Sequence, residues 1–389
     1  MKIEINKIIK ELSLDLIKLS EYIYTNPELG HQEYKSSMAH IELLKKYGFS
    51  VQEQYMGVET AFKATYKSEK SGPTISYLAE YDALPGIGHG CGHNILGTTS
   101  SGAAIVLSKL VGDIGGTVVV FGTPAEETSG EKVTMVDNGA FDNIDVALMA
   151  HPAEKHYKSG KSLALEAIEF TYEGKSAHAA SSPEQGINAL DAAINTFNNI
   201  NALRQHMQSD AKVHGVIKKG GVAANIVPDL AIAEFYVRSA SKKYLQELSE
   251  KVKNCARGAS LAAGTNLTIR NYEASYDDLI TNETLSSLYT ENLKLMDVDN
   301  IYEPAESYGS LDAGNVSQVC PTIHPYFAIT KKQIASHTKE FAEETLTPYA
   351  YEEMNKTIGA LALTGAAIIR NPKLLEDVKK EFEENKNGI

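Results

Sequence analysis

Thr117-Val118-Val119-Val120-Phe121-Gly122 is the clearest buried strand in the sequence, because none of its residues is charged and most are β-branched or aromatic. Two similar apolar runs, 74–79 and 144–150, stand on either side of it. Amphipathic patterns in the same region predict helices over 5–24 and 36–47, and a further helix is expected over 97–110. Strands that alternate with helices predict an α/β domain built on a largely parallel sheet.

A different pattern begins at residue 163. Its elements follow the order strand, helix, strand, strand, helix, strand, over residues 163–173, 187–203, 213–218, 230–238, 241–257 and 266–272. This order is typical of a ferredoxin-like unit. Helical patterns then resume, near 280–296 and 350–370. We therefore expect a discontinuous domain made of 1–162 and 281–389, with a smaller domain, 163–280, inserted into it.

Composition excludes several classes of partner. The 389 residues include 37 basic and 50 acidic side chains, a formal charge of −13, which argues against nucleic acid or an anionic membrane as a partner. Three cysteines are too few for a disulfide framework and suit a reducing compartment. No signal-peptide core or run of roughly 20 apolar residues stands out. We expect a cytoplasmic enzyme or binding protein.

Potential metal ligands follow the predicted strands. Cys91 and His93 follow 74–79 in a glycine-rich loop, Glu126 and Glu127 follow 117–122, and His151 follows 144–150. In open α/β sheets the ligand site lies beyond the carboxyl ends of the strands, so these side chains should converge. Thiolate, imidazole and carboxylate together form a plausible set of transition-metal ligands.

The two adjacent glutamates can take different chemical roles. One can bind metal while the other takes the proton of an attacking water as a general base. Taken singly, each candidate has a plainer interpretation: a buried apolar role for Cys91, a solvated pair for Glu126 and Glu127, and a core histidine for His151.

Five motifs resemble those of the metal-dependent amidohydrolases that cleave N-acyl amino acids. They are Asp82-Ala83-Leu84-Pro85, Gly90-Cys91-Gly92-His93-Asn94, Pro124-Ala125-Glu126-Glu127, Gly174-Lys175-Ser176-Ala177-His178-Ala179-Ala180 and Asn225-Ile226-Val227-Pro228-Asp229. The resemblance covers nearly the whole chain. Asn94, in place of the aspartate common in the family, points to the aminobenzoyl-glutamate hydrolase and aminoacylase-like dipeptidase branch. The implied fold is a zinc-peptidase-like α/β catalytic domain with an inserted lid and dimerisation domain.

The resemblance implies two divalent metal ions per subunit, zinc or manganese. Cys91, His93, Glu127 and His151 would be ligands, and Glu126 would be the general base. A histidine near the C-terminus would complete the set, and His337 is preferred over His324 for this position. The wider family has His-x-Asp where this chain has Glu80-Tyr81-Asp82, so a histidine ligand is missing there. Asp82 would then orient another ligand.

The inserted domain is expected to contribute to substrate binding. By the same resemblance, His178 donates to the substrate carbonyl or carboxylate, often across a dimer, and Asn225 helps to stabilise the oxyanion. Arg238 could hold a substrate carboxylate or could simply lie on the surface. His324, if not a ligand, is placed with Arg238 among the substrate-binding residues.

These features predict an amidohydrolase. Its substrate would be an N-acyl amino acid, a dipeptide or an aminobenzoyl-glutamate-like conjugate, and the protein would be a homodimer through its inserted domain. Two alternatives remain: a metal- or peptide-binding homologue without catalysis, and a hydrolase that uses Cys91 as nucleophile.

Overall fold

The computed structural model describes residues 1–304 and 309–387, which form two compact units. The main unit consists of Met1–Lys161 and most of the chain from Leu279 onward. The inserted unit consists of Ser162–Asp278 and a short segment that ends at Leu311. None of the helices in the described residues is long and apolar enough to cross a membrane.

The elements are numbered in chain order. Within the described residues the strands are β1 (Ser50–Glu53), β2 (Phe62–Lys67), β3 (Thr74–Ala79), β4 (Thr117–Gly122), β5 (Val146–Leu148), β6 (His151–Ala153), β7 (His156–Tyr157), β8 (Ala164–Glu173), β9 (Lys212–Gly220), β10 (Leu230–Ser239), β11 (Asn266–Asn271), β12 (Ile301–Tyr302), β13 (Thr322–Ile323) and β14 (Tyr326–Ala328). The helices are α1 (Lys2–Thr25), α2 (Tyr34–Lys46), α3 (His93–Ser108), α4 (Val111–Ile114), α5 (Glu131–Asp137), α6 (Ala189–Leu203), α7 (Lys242–Ala263), α8 (Glu283–Leu295), α9 (Ala313–Ser317), α10 (Lys339–Glu344), α11 (Pro348–Arg370) and α12 (Pro372–Asn387).

The main unit is built on a mixed sheet with the strand order β1-β2-β4-β3-β5-β13. Strands β4, β3, β5 and β13 run parallel, which confirms the predicted α/β fold, while β1 and β2 add an antiparallel edge. The sequence analysis predicted neither of these two strands. Strand β1 gives no signal because it is mostly exposed and carries no apolar run. A second small sheet, β12-β7-β14-β6, holds His151 at the start of β6.

Helix α3 begins at His93 rather than at the predicted residue 97. Gly92 precedes it with φ of 77°, a left-handed conformation that glycine adopts without strain. Every residue of α3 is buried, so the sequence has no amphipathic period to mark where the helix starts. The early start places His93 in the first helical turn, directly after the loop that carries Cys91.

The inserted unit has the predicted order β8-α6-β9-β10-α7-β11. Its four strands form an antiparallel sheet in the spatial order β11-β8-β10-β9. Helices α6 and α7 pack on this sheet and on each other, and their apolar faces close a core around Phe170, Phe235 and Leu248. Helix α7 extends to Ala263, beyond the predicted end at 257.

Candidate metal centre

His93 is held by Asp82 in one orientation. The imidazole Nδ1 lies 2.8 Å from Asp82 Oδ1, and the ring is fully buried. When Nδ1–H donates to this carboxylate, the lone pair of the neutral ring is on Nε2. Burial by itself lowers the pKa of His93, but Asp82 and Glu80 raise it well above its usual value. The surroundings of this ring therefore favour positive charge.

His151 and Glu80 face the same space as His93. The Nδ1 of His151 lies 2.8 Å from the carbonyl oxygen of Pro152, so its Nε2 is also left as an acceptor. Glu80 Oε2 lies 3.3 Å from His93 Nε2. One ligand atom from each of Glu80, His93 and His151 lies within 4.8 Å of the others, which is close enough to hold a single ion.

A second group consists of Cys91, Glu127 and His337, whose ligand atoms also lie within 4.8 Å of one another. His337 Nε2 is 3.7 Å from Glu127 Oε1. The amide N–H of His337 donates to the carbonyl oxygen of Gly90 (2.9 Å), so the two loops are joined through the backbone. His337 itself has φ of 65°, a conformation that is strained for a residue other than glycine.

Glu126 and Glu127 link these two groups. Together with His93 they form a third set of ligand atoms within 4.8 Å, and Glu126 Oε2 is 4.0 Å from His93 Nε2. Burial raises the pKa of Glu126 well above its usual value, and the carboxylates of Glu80 and Asp312 raise it further. This is the direction required of a carboxyl group that exchanges protons near neutral pH.

The donor atoms fit divalent cations. Glu80 Oε2, His93 Nε2 and Glu127 Oε1 are buried, and none has a hydrogen-bond partner among the described residues. Such atoms are costly to leave unpaired, and each of these residues belongs to at least one of the three ligand groups. Because the set combines sulfur, imidazole and carboxylate, its chemistry suits zinc or manganese.

His324 lies behind His151 rather than in any of the three ligand groups. The two rings have centroids 5.6 Å apart and are stacked, and the His324 side chain is buried. Burial lowers the pKa of His324 to about 4, so the ring is neutral near pH 7. His337 is therefore the C-terminal histidine that the structure brings to Cys91 and Glu127.

The inserted unit brings His178 and Asn225 together. The amide N–H of Ala179 donates to the carbonyl oxygen of Asn225 (2.9 Å), and both side chains are exposed. The N–H groups of Ala180 and Ser181 donate to His178 Nδ1, at 3.3 and 3.2 Å, which leaves the neutral ring with its hydrogen on Nε2. The exposed His178 side chain can therefore donate a hydrogen bond from Nε2.

Arg238 lies near the end of β10 and is partly buried. Its Nη1 donates to Ser310 Oγ at 2.8 Å, and its guanidinium group lies over the ring of Tyr236. The guanidinium group has further donors beyond the one used by Ser310, so carboxylate binding and a plain surface position both stay predictions for this residue.

Three residues at this centre escaped the sequence analysis as functional candidates. Lys132 Nζ lies 2.7 Å from Glu80 Oε1 and 2.7 Å from Asp312 Oδ1, and all three side chains are buried. Glu80 had a signal, since it directly follows the buried strand β3. Lys132 and Asp312 had none, because only the tertiary fold joins residues 180 positions apart.

Comparison with known proteins agrees with these observations. Residues 165–262 match the peptidase dimerisation domain. The chain is 39% identical to Xaa-Arg dipeptidase of Mus musculus, over 96% of this chain and 90% of that protein. It is 32% identical to one of the subunits of the p-aminobenzoyl-glutamate hydrolase of Escherichia coli, over 69% of this chain and 60% of that protein.

The fold has solved counterparts. A dinuclear metal binding peptidase of the M20 family from Bacillus subtilis superposes with a TM-score of 0.69, at 20% identity, over 92% of this chain and 99% of the other. Taken with the dipeptidase and hydrolase relatives, this confirms the predicted resemblance. The chain belongs to the M20 family of metallopeptidases and amidohydrolases, enzymes that act on carbon–nitrogen bonds.

Proposed function

We propose that the protein hydrolyses the amide bond of a dipeptide or N-acyl amino acid at a centre of two divalent metal ions, zinc or manganese. The observation that carries the proposal is the overlap of three ligand groups: the third shares His93 with the first and Glu127 with the second. Cys91, His93, Glu127, His151 and His337 would hold the ions. When bound, the ions would polarise the scissile carbonyl group and make a nearby water more acidic.

The residues of the chain supply the proton transfers. Glu126 is the general base: it takes the proton of the attacking water and later gives it to the leaving amine. Its raised pKa, caused by burial and by neighbouring carboxylates, suits a group that must accept and release a proton in each cycle. Asp82 keeps His93 in the tautomer whose Nε2 is free to bind metal.

The inserted unit is proposed as the lid and dimerisation domain. His178 would donate from Nε2 to the substrate carbonyl or carboxylate, Asn225 would stabilise the oxyanion, and Arg238 would pair with a substrate carboxylate. The match to a peptidase dimerisation domain supports a homodimer. Strand β9 is the edge we propose for the contact, because Val216 and Ile217 on it are exposed apolar residues at the end of the sheet.

A substrate with a C-terminal arginine is the first to test. The relative named Xaa-Arg dipeptidase aligns with nearly the whole chain, whereas the aminobenzoyl-glutamate hydrolase relative aligns with about two thirds of it. N-acyl amino acids and aminobenzoyl-glutamate complete the panel. The cytoplasmic location and the lack of nucleic-acid and membrane partners stay predictions from the sequence.

A Cys91 nucleophile is the less favoured mechanism. Burial raises the pKa of the Cys91 thiol, and the carboxylate of Glu127 raises it further. A nucleophilic thiol needs the opposite, a lowered pKa. A thiol in this environment becomes a thiolate more readily by binding a cation, since the positive charge offsets Glu127.

Metal analysis combined with the substrate panel tests the proposal. We expect about two equivalents of zinc or manganese per chain, release of free amino acid from at least one substrate, loss of turnover with a chelator, and recovery when manganese or zinc is added. Turnover that survives chelation but not thiol alkylation would establish the Cys91 mechanism instead. Bound metal without turnover on the whole panel would support a binding protein.

A further inference from the structure

We infer that Glu80 is an additional metal ligand at the position shared with His93 and His151, and that Lys132 and Asp312 hold its carboxylate in place. The inference rests on the proposed two-metal centre. It concerns the residue that directly follows strand β3.

The first observation is the direction of the Glu80 carboxylate. The side chain is almost completely buried, and its Oε2 has no hydrogen-bond donor among the described residues. That oxygen lies 3.3 Å from His93 Nε2, which also has no partner there. In the neutral tautomer that Asp82 selects, the Nε2 lone pair faces those of Glu80 Oε2 across this gap, whereas in the protonated ring a proton on Nε2 takes the place of a cation. A cation bound by both atoms removes the repulsion and satisfies both groups.

The second observation is the support behind Glu80. Its other oxygen, Oε1, accepts from Lys132 Nζ at 2.7 Å. Lys132 is in turn fixed by Asp312, through the side chain at 2.7 Å and through the backbone N–H at 3.2 Å. The three buried side chains form an Asp312–Lys132–Glu80 chain. Because both carboxylate oxygens of Glu80 are then assigned, one to the ammonium and one to the metal position, its orientation is determined.

The charges explain why the lysine is there. Glu80 and Asp312 are both buried, and two unpaired carboxylates in an apolar environment would each take up a proton. Lys132 lies between them, with its ammonium nitrogen 2.7 Å from one oxygen of each carboxylate, and so offsets part of their buried negative charge. Lys132 and Asp312 are positioning residues here, since neither lies in a ligand group of the described residues.

The test compares metal binding by the wild type, Glu80→Ala and Glu353→Ala. Glu353 is a matched control, because it is also buried and also bridges a histidine and a lysine, His156 at 3.0 Å and Lys356 at 2.9 Å. Manganese Kd values are measured by titration calorimetry, and bound metal is counted by elemental analysis. We expect wild type and Glu353→Ala to bind two ions, and Glu80→Ala to bind the second ion tenfold or more weakly.

The double variant Glu80→Ala/Lys132→Met separates ligation from charge compensation. If Glu80 only neutralises Lys132, removal of both charges restores the second ion, and the inference is overturned. If Glu80 is a ligand, the second site stays weak. Cobalt-substituted protein gives a second measurement, since loss of a ligand changes the visible absorption of one cobalt ion and a change in distant charge leaves it unaltered.

The remaining outcomes distinguish failure of this inference from failure of the proposed function. If Glu80→Ala binds two ions as tightly as the wild type, the inference fails while the proposed function stands. If the wild type binds no metal, the proposed function fails first. Should Glu80→Ala not fold, Glu80→Gln preserves the side-chain volume and is measured in its place, with Glu353→Gln as its control.

Discussion

Asp82 contacts both a histidine and the backbone of a glutamate that are proposed to bind metal. Its Oδ1 lies 2.8 Å from His93 Nδ1, and its Oδ2 accepts the amide N–H of Glu127 at 2.9 Å. One carboxylate therefore links the first turn of α3 to the loop that follows β4. Because the bond to Nδ1 selects the tautomer of the ring, the pair controls the availability of His93 Nε2.

The Asp82→Asn variant should weaken metal binding. An amide can present its NH₂ group to the imidazole and favour the wrong tautomer, so we expect a 10- to 100-fold rise in the Kd for manganese. Asp15→Asn, which alters a carboxylate paired with Lys46 and Tyr47, is the control and should bind metal as the wild type does. Equal affinities for Asp82→Asn and wild type would remove the orienting role.

The Glu126→Gln variant should keep its metal and lose its activity. Glutamine preserves the shape of the side chain but cannot accept the proton of the attacking water, so turnover should fall by about 10²- to 10⁴-fold. Elemental analysis and steady-state rates on the same preparation measure both effects. Near-normal turnover in this variant would show that another group is the base.

The Gly92→Ala variant should destabilise the protein. Gly92 has φ of 77°, and a Cβ at this position would lie 2.6 Å from Pro152 Cγ. The left-handed conformation alone costs about 1–2 kcal/mol for alanine, and the contact adds to that. Gly112→Ala is the control, since Gly112 lies within α4 and a methyl group there would meet open space, so its free energy of unfolding should be unchanged or slightly higher. Urea denaturation of both variants gives the comparison.

His40 should make the protein sensitive to acid. The ring is fully buried and burial lowers its pKa to about 3, compared with an ordinary value of 6.5. Between these two values the unfolded chain binds a proton that the folded chain does not, so the free energy of unfolding falls as the pH falls, by up to about 1.4 kcal/mol per pH unit.

The His40 contribution is measured by difference. Denaturation of wild type and His40→Gln from pH 7 to pH 4 should show a shallower loss of stability in the variant. His206→Gln, at an exposed histidine, should follow the wild-type profile. Parallel profiles for all three proteins would mean that His40 does not contribute to acid unfolding.

Charges on strand β9 should separate the proposed dimer. Val216 and Ile217 are 59% and 40% exposed at the edge of the inserted sheet, and lysine at both positions opposes association of two such edges. We expect the Val216→Lys/Ile217→Lys variant to be monomeric by light scattering. Leu14→Lys, on the main unit, should leave the mass unchanged. A dimer that persists in the double lysine variant would place the interface elsewhere.

The strands and the family motifs were within reach of sequence analysis for a physical reason. Strands β3 and β4 coincide with the predicted runs because both are buried and therefore continuously apolar. The ligand candidates followed these strands directly, so their convergence could be expected from the geometry of a parallel sheet.

Other features depend on contacts that no local pattern records. The stacking of His324 on His151 and the pairing of Lys132 with Asp312 each require the tertiary fold. The sequence analysis treated Glu80 only as the residue that stands where a histidine ligand is missing. A single carboxylate next to Tyr81 produces no periodic pattern that would mark it as a ligand. The feature that points to a role is tertiary, since its unpaired Oε2 lies 3.3 Å from His93 Nε2.

The backbone bond from His337 to Gly90 has a consequence for biosynthesis. The proposed ligand Cys91 is synthesised early, yet the loop that carries it is completed by a residue near the end of the chain. A ribosome must translate both halves of the main unit, with the inserted unit between them, before the full donor set exists. We therefore expect tight metal binding at the proposed centre only in chains that extend past His337, and chains truncated before this residue should bind metal weakly.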